Sequence, residues 1–89
     1  MARAIHVRLV TNEGQAVADE AVSVRAPGGL GYVGFLYNHA PLVTTITPGV
    51  LTWRRPDGET RSLRVGAGLL EITKNQLTLL TDSVAEPTA

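Results

Sequence analysis

The stretch GLGYVG, Gly29–Gly34, has the G-x-G-x-x-G spacing of turns that bind the pyrophosphate of dinucleotides. In such turns the third glycine opens a helix whose first amides and dipole hold the phosphates. Here Gly34 precedes FLYNHAP, in which Pro41 disfavours a helical residue before it, and no amphipathic run follows. The sequence therefore predicts a tight glycine-rich turn without a nucleotide, from which Leu30 and Tyr32 project outward.

Histidine and serine are the remaining residue types that could support catalysis or bind a metal. His39 could act as a general base or a ligand, and the alternative is a packed histidine that holds a turn. His6 lies on the polar face of a predicted strand, and neither cysteines nor clustered carboxylates complete a zinc site. Ser23, Ser62 and Ser83 all lie outside the G-x-S-x-G pattern of hydrolases. We predict no catalytic residue, no cofactor and no metal.

Four arginines flank a single predicted turn: Arg54, Arg55, Arg61 and Arg64. They could form a surface for an anionic partner, and the alternative is a solvated face balanced by nearby acidic residues. Trp53 alternates with its arginine neighbour along the strand, so we interpret it as a core residue.

The composition indicates one globular domain. The chain has 89 residues, of which 44% are hydrophobic, and its eight basic residues balance eight acidic ones. This balance disfavours a nucleic-acid partner. No apolar run approaches the roughly 18 residues that cross a bilayer, and the N-terminus lacks the apolar region of a signal peptide, so we predict no direct membrane insertion.

Strand patterns dominate the chain. Alternating or β-branched runs cover residues 5–9, 21–26, 42–47, 50–65, 69–73 and 76–81. Turn signals separate them: Pro48-Gly49 is typical of a type II turn with a positive φ at glycine, Gly58 suits a hairpin loop, and Lys74-Asn75 joins two strands. Asp82–Ala89 lacks a strand pattern. Eight to ten short strands at this spacing predict an all-β sandwich or barrel without substantial helix.

A resemblance to a known family follows from the glycine loop and the residues after it. The run G-x-G-x-x-G-F-L-Y-N-H-A-P-L, followed by T-P-G-V-L, resembles the ε subunit of F-type ATP synthases. The stretch VGAGLLEITKNQLTLLTDSV at 65–84 and the opening IHVRLVTNEG are also similar to that family. The matching positions of the loop region are Gly28, Gly31, Gly34, His39, Ala40, Pro41, Leu42, Pro48 and Gly49.

The resemblance implies a two-sheet β-sandwich of about ten strands over residues 1–84, with a short tail at 85–89. It implies a non-catalytic rotor subunit of the central stalk, which links the γ shaft to the c ring and couples ion translocation to ATP synthesis. The expected partners are the γ subunit, the c-subunit ring and, indirectly, the α/β head. The expected location is peripheral, at the cytoplasmic face of the bacterial inner membrane. The alternative is a free-standing sandwich that binds a small ligand or peptide.

The resemblance also assigns contact residues. By position, Leu30, Gly31 and Tyr32 correspond to the family loop that meets the c ring. Five others correspond to positions that face γ: Thr11, His39, Ala40, Pro41 and Leu42. Members of the family often have an acidic residue where this chain has Tyr32, so the resemblance implies an apolar and hydrogen-bonding contact in place of a charged one.

Most bacterial members of the family continue into a C-terminal helical hairpin that can inhibit ATP hydrolysis. The sequence ends at Ala89, where that hairpin would begin. Two expectations stay open at this point: a subunit that couples without this inhibition, or a shortened form of a longer protein.

Overall fold

The alternating runs form ten short strands in the computed structural model, which describes residues 3–87. Residues 3–87 contain no helix, so none of them forms a helical membrane span. The strands are β1 (Ile5–Thr11), β2 (Gly14–Ala21), β3 (Ser23–Gly28), β4 (Gly31–Leu36), β5 (Leu42–Ile46), β6 (Gly49–Arg54), β7 (Thr60–Val65), β8 (Gly68–Thr73), β9 (Gln76–Thr81) and β10 (Val84–Ala85).

The strands form two layers of five, which confirms the all-β sandwich. The first layer has the order β4-β3-β6-β7-β10, and the second has the order β5-β8-β9-β1-β2. A single pair, Gly28 and Ile46, joins β3 to β5 and makes the hydrogen-bonded ladder continuous between the layers. Strands β1 and β9 are parallel, whereas the other neighbouring strands run antiparallel.

One apolar side of each layer faces the other and forms the core. Ile5, Leu51, Leu70 and Leu79 are fully buried, and Trp53 is 3% exposed, so its interpretation as a core residue is confirmed. Full burial of each such side chain contributes about 1.5–3 kcal/mol relative to exposure. The core therefore fixes the register of every long strand, because a slip by one residue would turn these side chains to solvent.

Two turns follow the predicted chemistry. Lys74 (φ 50°) and Asn75 (φ 61°) form a two-residue loop between Thr73 and Gln76, with the two positive φ angles of a type I′ turn. Gly58 has φ 92° in the β6–β7 hairpin loop. The hairpins therefore close where the sequence indicates.

The predicted type II turn at Pro48-Gly49 is wrong. Gly49 does not have a positive φ and instead begins β6. A Cβ atom there would lie 2.7 Å from Cβ of Pro27 and 3.0 Å from the Tyr32 hydroxyl oxygen. Close packing between strands, rather than turn conformation, therefore requires glycine at this position.

Two further strand expectations differ from the structure. The run 21–26 is divided at Val22, where the chain leaves the second layer and enters the first. The segment 82–89 contains β10, whose Val84 pairs with Val65 of β7, so the boundary expected after residue 84 falls inside a strand. Residues 1–2 and 88–89 of the predicted domain and tail lie outside the described residues.

Candidate protein-contact surfaces

The glycine-rich stretch forms the tip of the β3–β4 hairpin. Gly28 pairs with Gly31, which leaves a two-residue turn at Gly29-Leu30. Gly31 has φ 124°, a conformation that side chains rarely adopt, and the Leu30 side chain is fully exposed. Gly34 lies inside β4 and not at the start of a helix. The predicted outward projection of Leu30 is confirmed, and the stretch lacks the helical amides that hold a pyrophosphate.

Tyr32 is half-exposed but is fixed from two sides. Its hydroxyl oxygen accepts a hydrogen bond from the Val50 backbone N–H at 3.2 Å. The guanidinium carbon of Arg25 lies 4.3 Å from the centroid of its ring, which is within cation–π range. The tip therefore presents a free leucine beside an aromatic ring that is held in one orientation.

The segment Tyr37–Leu42 connects the two layers at the opposite end of the sandwich. The His39 N–H donates to the Leu36 carbonyl at 3.1 Å, and Asn38 has φ 67°, which together give the pattern of a type II turn. Nδ1 of His39 lies 2.6 Å from the Ala40 carbonyl oxygen, so this nitrogen carries the proton. The imidazole packs edge-on against Phe35 at 4.9 Å. This is the geometry of a packed histidine that fixes a turn.

The structure separates Thr11 from the other residues assigned to the same partner. Thr11 ends β1, where its hydroxyl oxygen accepts a hydrogen bond from the Glu13 N–H at 3.1 Å. The other end of β1 lies beside Asn75, whose carbonyl accepts from the His6 N–H at 2.8 Å. Asn38 also contacts Asn75, so the His39 segment lies near the His6 end of β1. Thr11 lies about 16 Å from His6 at ~3.3 Å per strand residue.

Apolar side chains lie across the outer face of the second layer, from Val10, which precedes Thr11, to Val43, which follows Leu42. Leu69 of β8 pairs with Leu80 of β9, and Leu80 pairs with Val10 of β1. Leu69 is 44% exposed, Leu80 is 49% exposed, and Val43 on β5 is 58% exposed. We name Val10, Val43, Leu69 and Leu80 the outer patch. Leu69 pairs with Thr45 of β5, and Val43 of β5 pairs with Glu71, so polar side chains flank the patch there. Groups of exposed apolar residues on one face are typical of protein contact sites.

The sequence analysis missed the outer patch, although the sequence contains a signal for it. Leu69-Leu70 and Leu79-Leu80 are pairs of adjacent leucines inside strands. Since neighbouring strand residues point to opposite faces, one leucine of each pair must face away from the core.

A polar cluster closes the side of the sandwich between β2 and β6. The Trp53 Nε1–H donates to Oδ2 of Asp19 at 2.9 Å, and the Arg55 Nε–H donates to Oδ1 of Asp19 at 3.0 Å. Burial opposes ionisation of Asp19, but the hydrogen bonds from Trp53, the Glu20 N–H and Arg55, with the charge of Arg55, hold the pKa of Asp19 below its usual value. Arg55 also pairs with Asp57 at 3.1 Å. Two of the four predicted arginines are thus balanced by acids, since Arg61 pairs with Glu59.

Among residues 3–87, no three histidine, aspartate or glutamate side chains lie close enough to hold a metal ion. The exposed tip, the His39 segment and the outer patch instead offer backbone edges and apolar side chains. The fold defines an all-β sandwich domain.

The chain belongs to the family described as the β-sandwich domain of the ATP synthase delta/epsilon chain, whose model matches residues 4–87. It is 38% identical over 87 residues to the ATP synthase epsilon chain of Desulfitobacterium hafniense, a match that covers 98% of this chain and 64% of that one. It is 43% identical over 88 residues to the epsilon chain of Acidithiobacillus ferridurans, covering 99% and 62%. The chain therefore spans a little under two thirds of the length of these relatives.

A solved structure has the same fold. A chain in the cryo-EM structure of the mitochondrial ATP synthase of Euglena gracilis, with its OSCP, F1 and c-ring parts, superposes with a TM-score of 0.87. The superposition covers 96% of this chain and 54% of that one at 15% sequence identity. At this identity the likeness concerns the fold.

Proposed function

We propose that this chain is a non-catalytic rotor subunit of an F-type ATP synthase, which links the γ shaft to the c ring and couples ion translocation to ATP synthesis. The observation that carries the proposal is identity of 38–43% to epsilon chains over nearly every residue. The partners would be γ, the c-subunit ring and, indirectly, the α/β head. The location would be peripheral, at the cytoplasmic face of the bacterial inner membrane.

The c-ring contact in this proposal is the β3–β4 tip with Leu30, Gly31 and Tyr32. The Leu30 side chain is fully exposed, so it can be covered by an apolar surface of another subunit. Tyr32 is already fixed by Val50 and Arg25, so little side-chain entropy would be lost when it is covered. The tip thus combines an adaptable apolar residue with a preorganised aromatic one.

The γ contact in this proposal extends along the second layer. Thr11 lies at one end of that face, and His39, Ala40, Pro41 and Leu42 lie at the other. The outer patch between them supplies exposed apolar area that a helix or strand of γ could cover. One elongated partner that lies along this face would contact residues separated by the length of β1.

Rigidity supports a role in torque transmission. The contact surfaces lie on strands or on turns that hydrogen bonds fix, and the two layers share one continuous ladder. A domain that unfolds locally under load would deform and would not pass the torque on to its partner. A sandwich with short turns meets this requirement.

Reconstitution tests the proposal. An ATP synthase stripped of its epsilon chain would be supplied with this chain. Gradient-driven ATP synthesis would be measured with and without the chain, and ATP hydrolysis by the head alone would be measured alongside it. We expect the chain to bind the stripped complex and to raise gradient-driven synthesis, whereas the isolated chain hydrolyses no ATP. The proposal requires binding to both γ and the c ring, so failure to bind either one would contradict it.

A further inference from the structure

We infer that Asn75, which none of the surfaces described above includes, is a positioning residue: paired with Asn38, it holds Tyr37–Leu42 in the conformation in which that segment meets its partner. The partner part of this inference rests on the proposed function. The positioning part rests on the structure of this chain alone.

The two asparagines form a reciprocal pair across 37 positions of sequence. The Asn38 backbone N–H donates to Oδ1 of Asn75 at 2.6 Å. The Asn75 Nδ2–H donates to Oδ1 of Asn38 at 3.0 Å. The carbonyl of Asn75 also accepts from the His6 N–H at 2.8 Å. Asn75 therefore ties the connection between the layers to both the β8–β9 turn and the start of β1.

Backbone conformation does not by itself require asparagine at these positions. Asn38 and Asn75 have φ angles of 67° and 61°, which asparagine tolerates and glycine adopts with less strain. A glycine at either position would satisfy its turn but would lack the side chain that completes the pair. The reciprocal hydrogen bonds are therefore what a glycine at either position would remove.

Apolar burial holds this segment only in part. Leu36, just before it, is 64% exposed, and Tyr37 and Leu42 are 37% and 36% exposed, so none of the three belongs to the buried core. Its anchors are the edge contact of His39 with Phe35 and the asparagine pair. An exposed segment held in one conformation binds more tightly, because ordering it at the moment of binding costs conformational entropy.

The adjacent turn residue provides a matched control. Lys74 occupies the same two-residue loop with φ 50°, so Lys74→Gly relieves backbone strain as Asn75→Gly does. Lys74 makes no hydrogen bond to the connection. Asn75→Asp retains an oxygen that can accept from the Asn38 N–H. The three variants thus separate turn flexibility from loss of the pair.

The experiment measures amide hydrogen exchange in the isolated full chain and the affinity of the same variants for γ. We expect Asn75→Gly to speed exchange of the Asn38 amide about fivefold or more, the effect of losing one net hydrogen bond. We expect γ binding to weaken by a similar factor. Lys74→Gly should change neither quantity, and Asn75→Asp should restore most of the protection at Asn38.

Equal exchange at Asn38 in the Asn75→Gly and Lys74→Gly variants would overturn the positioning role. Faster exchange with unchanged γ affinity would overturn the link to binding. If the unsubstituted chain fails to bind γ, the proposed function fails, and the exchange comparison still decides whether Asn75 positions the segment.

Discussion

Leu79 and Leu80 are consecutive residues of β9 whose side chains point to opposite faces: Leu79 is fully buried, whereas Leu80 is 49% exposed beside Leu69. The first belongs to the core, and the second belongs to the outer patch. One strand thus carries both the stability of the domain and a surface that we assign to partner contact.

We predict that Leu80→Ser weakens binding to γ at least tenfold, about 1.4 kcal/mol, because it removes an apolar contact from the middle of the outer patch. The free energy of unfolding should fall by about 1 kcal/mol, because Leu80 is half buried. Titration calorimetry with γ and urea denaturation measure the two quantities.

Leu79→Ala is the matched comparison. It should cost about 2–5 kcal/mol of stability through the cavity that it leaves. In variants that remain folded, affinity for γ should stay close to that of the unsubstituted chain. A Leu80→Ser variant that binds γ with unchanged affinity would contradict the assignment of the outer patch to the γ contact.

The two later glycines of the G-x-G-x-x-G stretch should differ in tolerance. Gly31→Ala should cost about 1–3 kcal/mol because Gly31 has φ 124°. Gly34→Ala should be close to neutral, since φ there is not positive and a Cβ would meet no atom closer than 4.0 Å. Urea denaturation of both variants checks this contrast. Equal losses in the free energy of unfolding would show that the backbone conformation at Gly31 is not what requires glycine there.

Most strands and hairpin turns of this fold could be predicted from the sequence, because they depend on local properties of the chain. Alternation over 5–9 and 76–81 matches strands whose inner residues are fully buried, and Lys74-Asn75 carries the left-handed angles of a type I′ turn. These are local properties, and the core enforces them. The same reasoning excluded a dinucleotide site at the glycine stretch, because the residues after Gly34 cannot form the helix that such a site needs.

Features that depend on contacts between distant residues were not predictable. Gly49 is required by Pro27, a neighbour 22 positions earlier, and not by its own turn. The Asn38–Asn75 pair spans 37 positions. The outer patch assembles from β1, β5, β8 and β9 only when the parallel pairing of β1 with β9 is known. The residues assigned to the c ring and γ came from family resemblance and remain predictions.

Stability should depend on pH through Asp19. Its folded-state pKa lies below the ordinary value of 3.8, so its contribution is fully present above about that pH and is lost as the pH falls through the lower folded-state pKa. Near neutral pH, Asp19→Asn should cost about 1–3 kcal/mol, because three donors lose a charged acceptor.

Urea denaturation followed by fluorescence of Trp53, the only tryptophan, measures this effect. The difference between Asp19→Asn and the unsubstituted chain should shrink as the pH falls below the ordinary aspartate value. A difference that stays constant down to the acid limit would show that the Asp19 carboxylate is not the titrating group.

Crosslinking from the hairpin tip tests the rotor assignment most directly. The chain has no cysteine, so Leu30→Cys or Tyr32→Cys introduces a unique thiol at the tip, and Lys74→Cys introduces an exposed one at the opposite end of the sandwich. In the assembled ATP synthase, with a single cysteine in the polar loop of the c subunit, the tip variants should form an adduct with c and the Lys74 variant should not. Absence of the adduct from both tip positions, or equal adducts from both ends, would contradict the account.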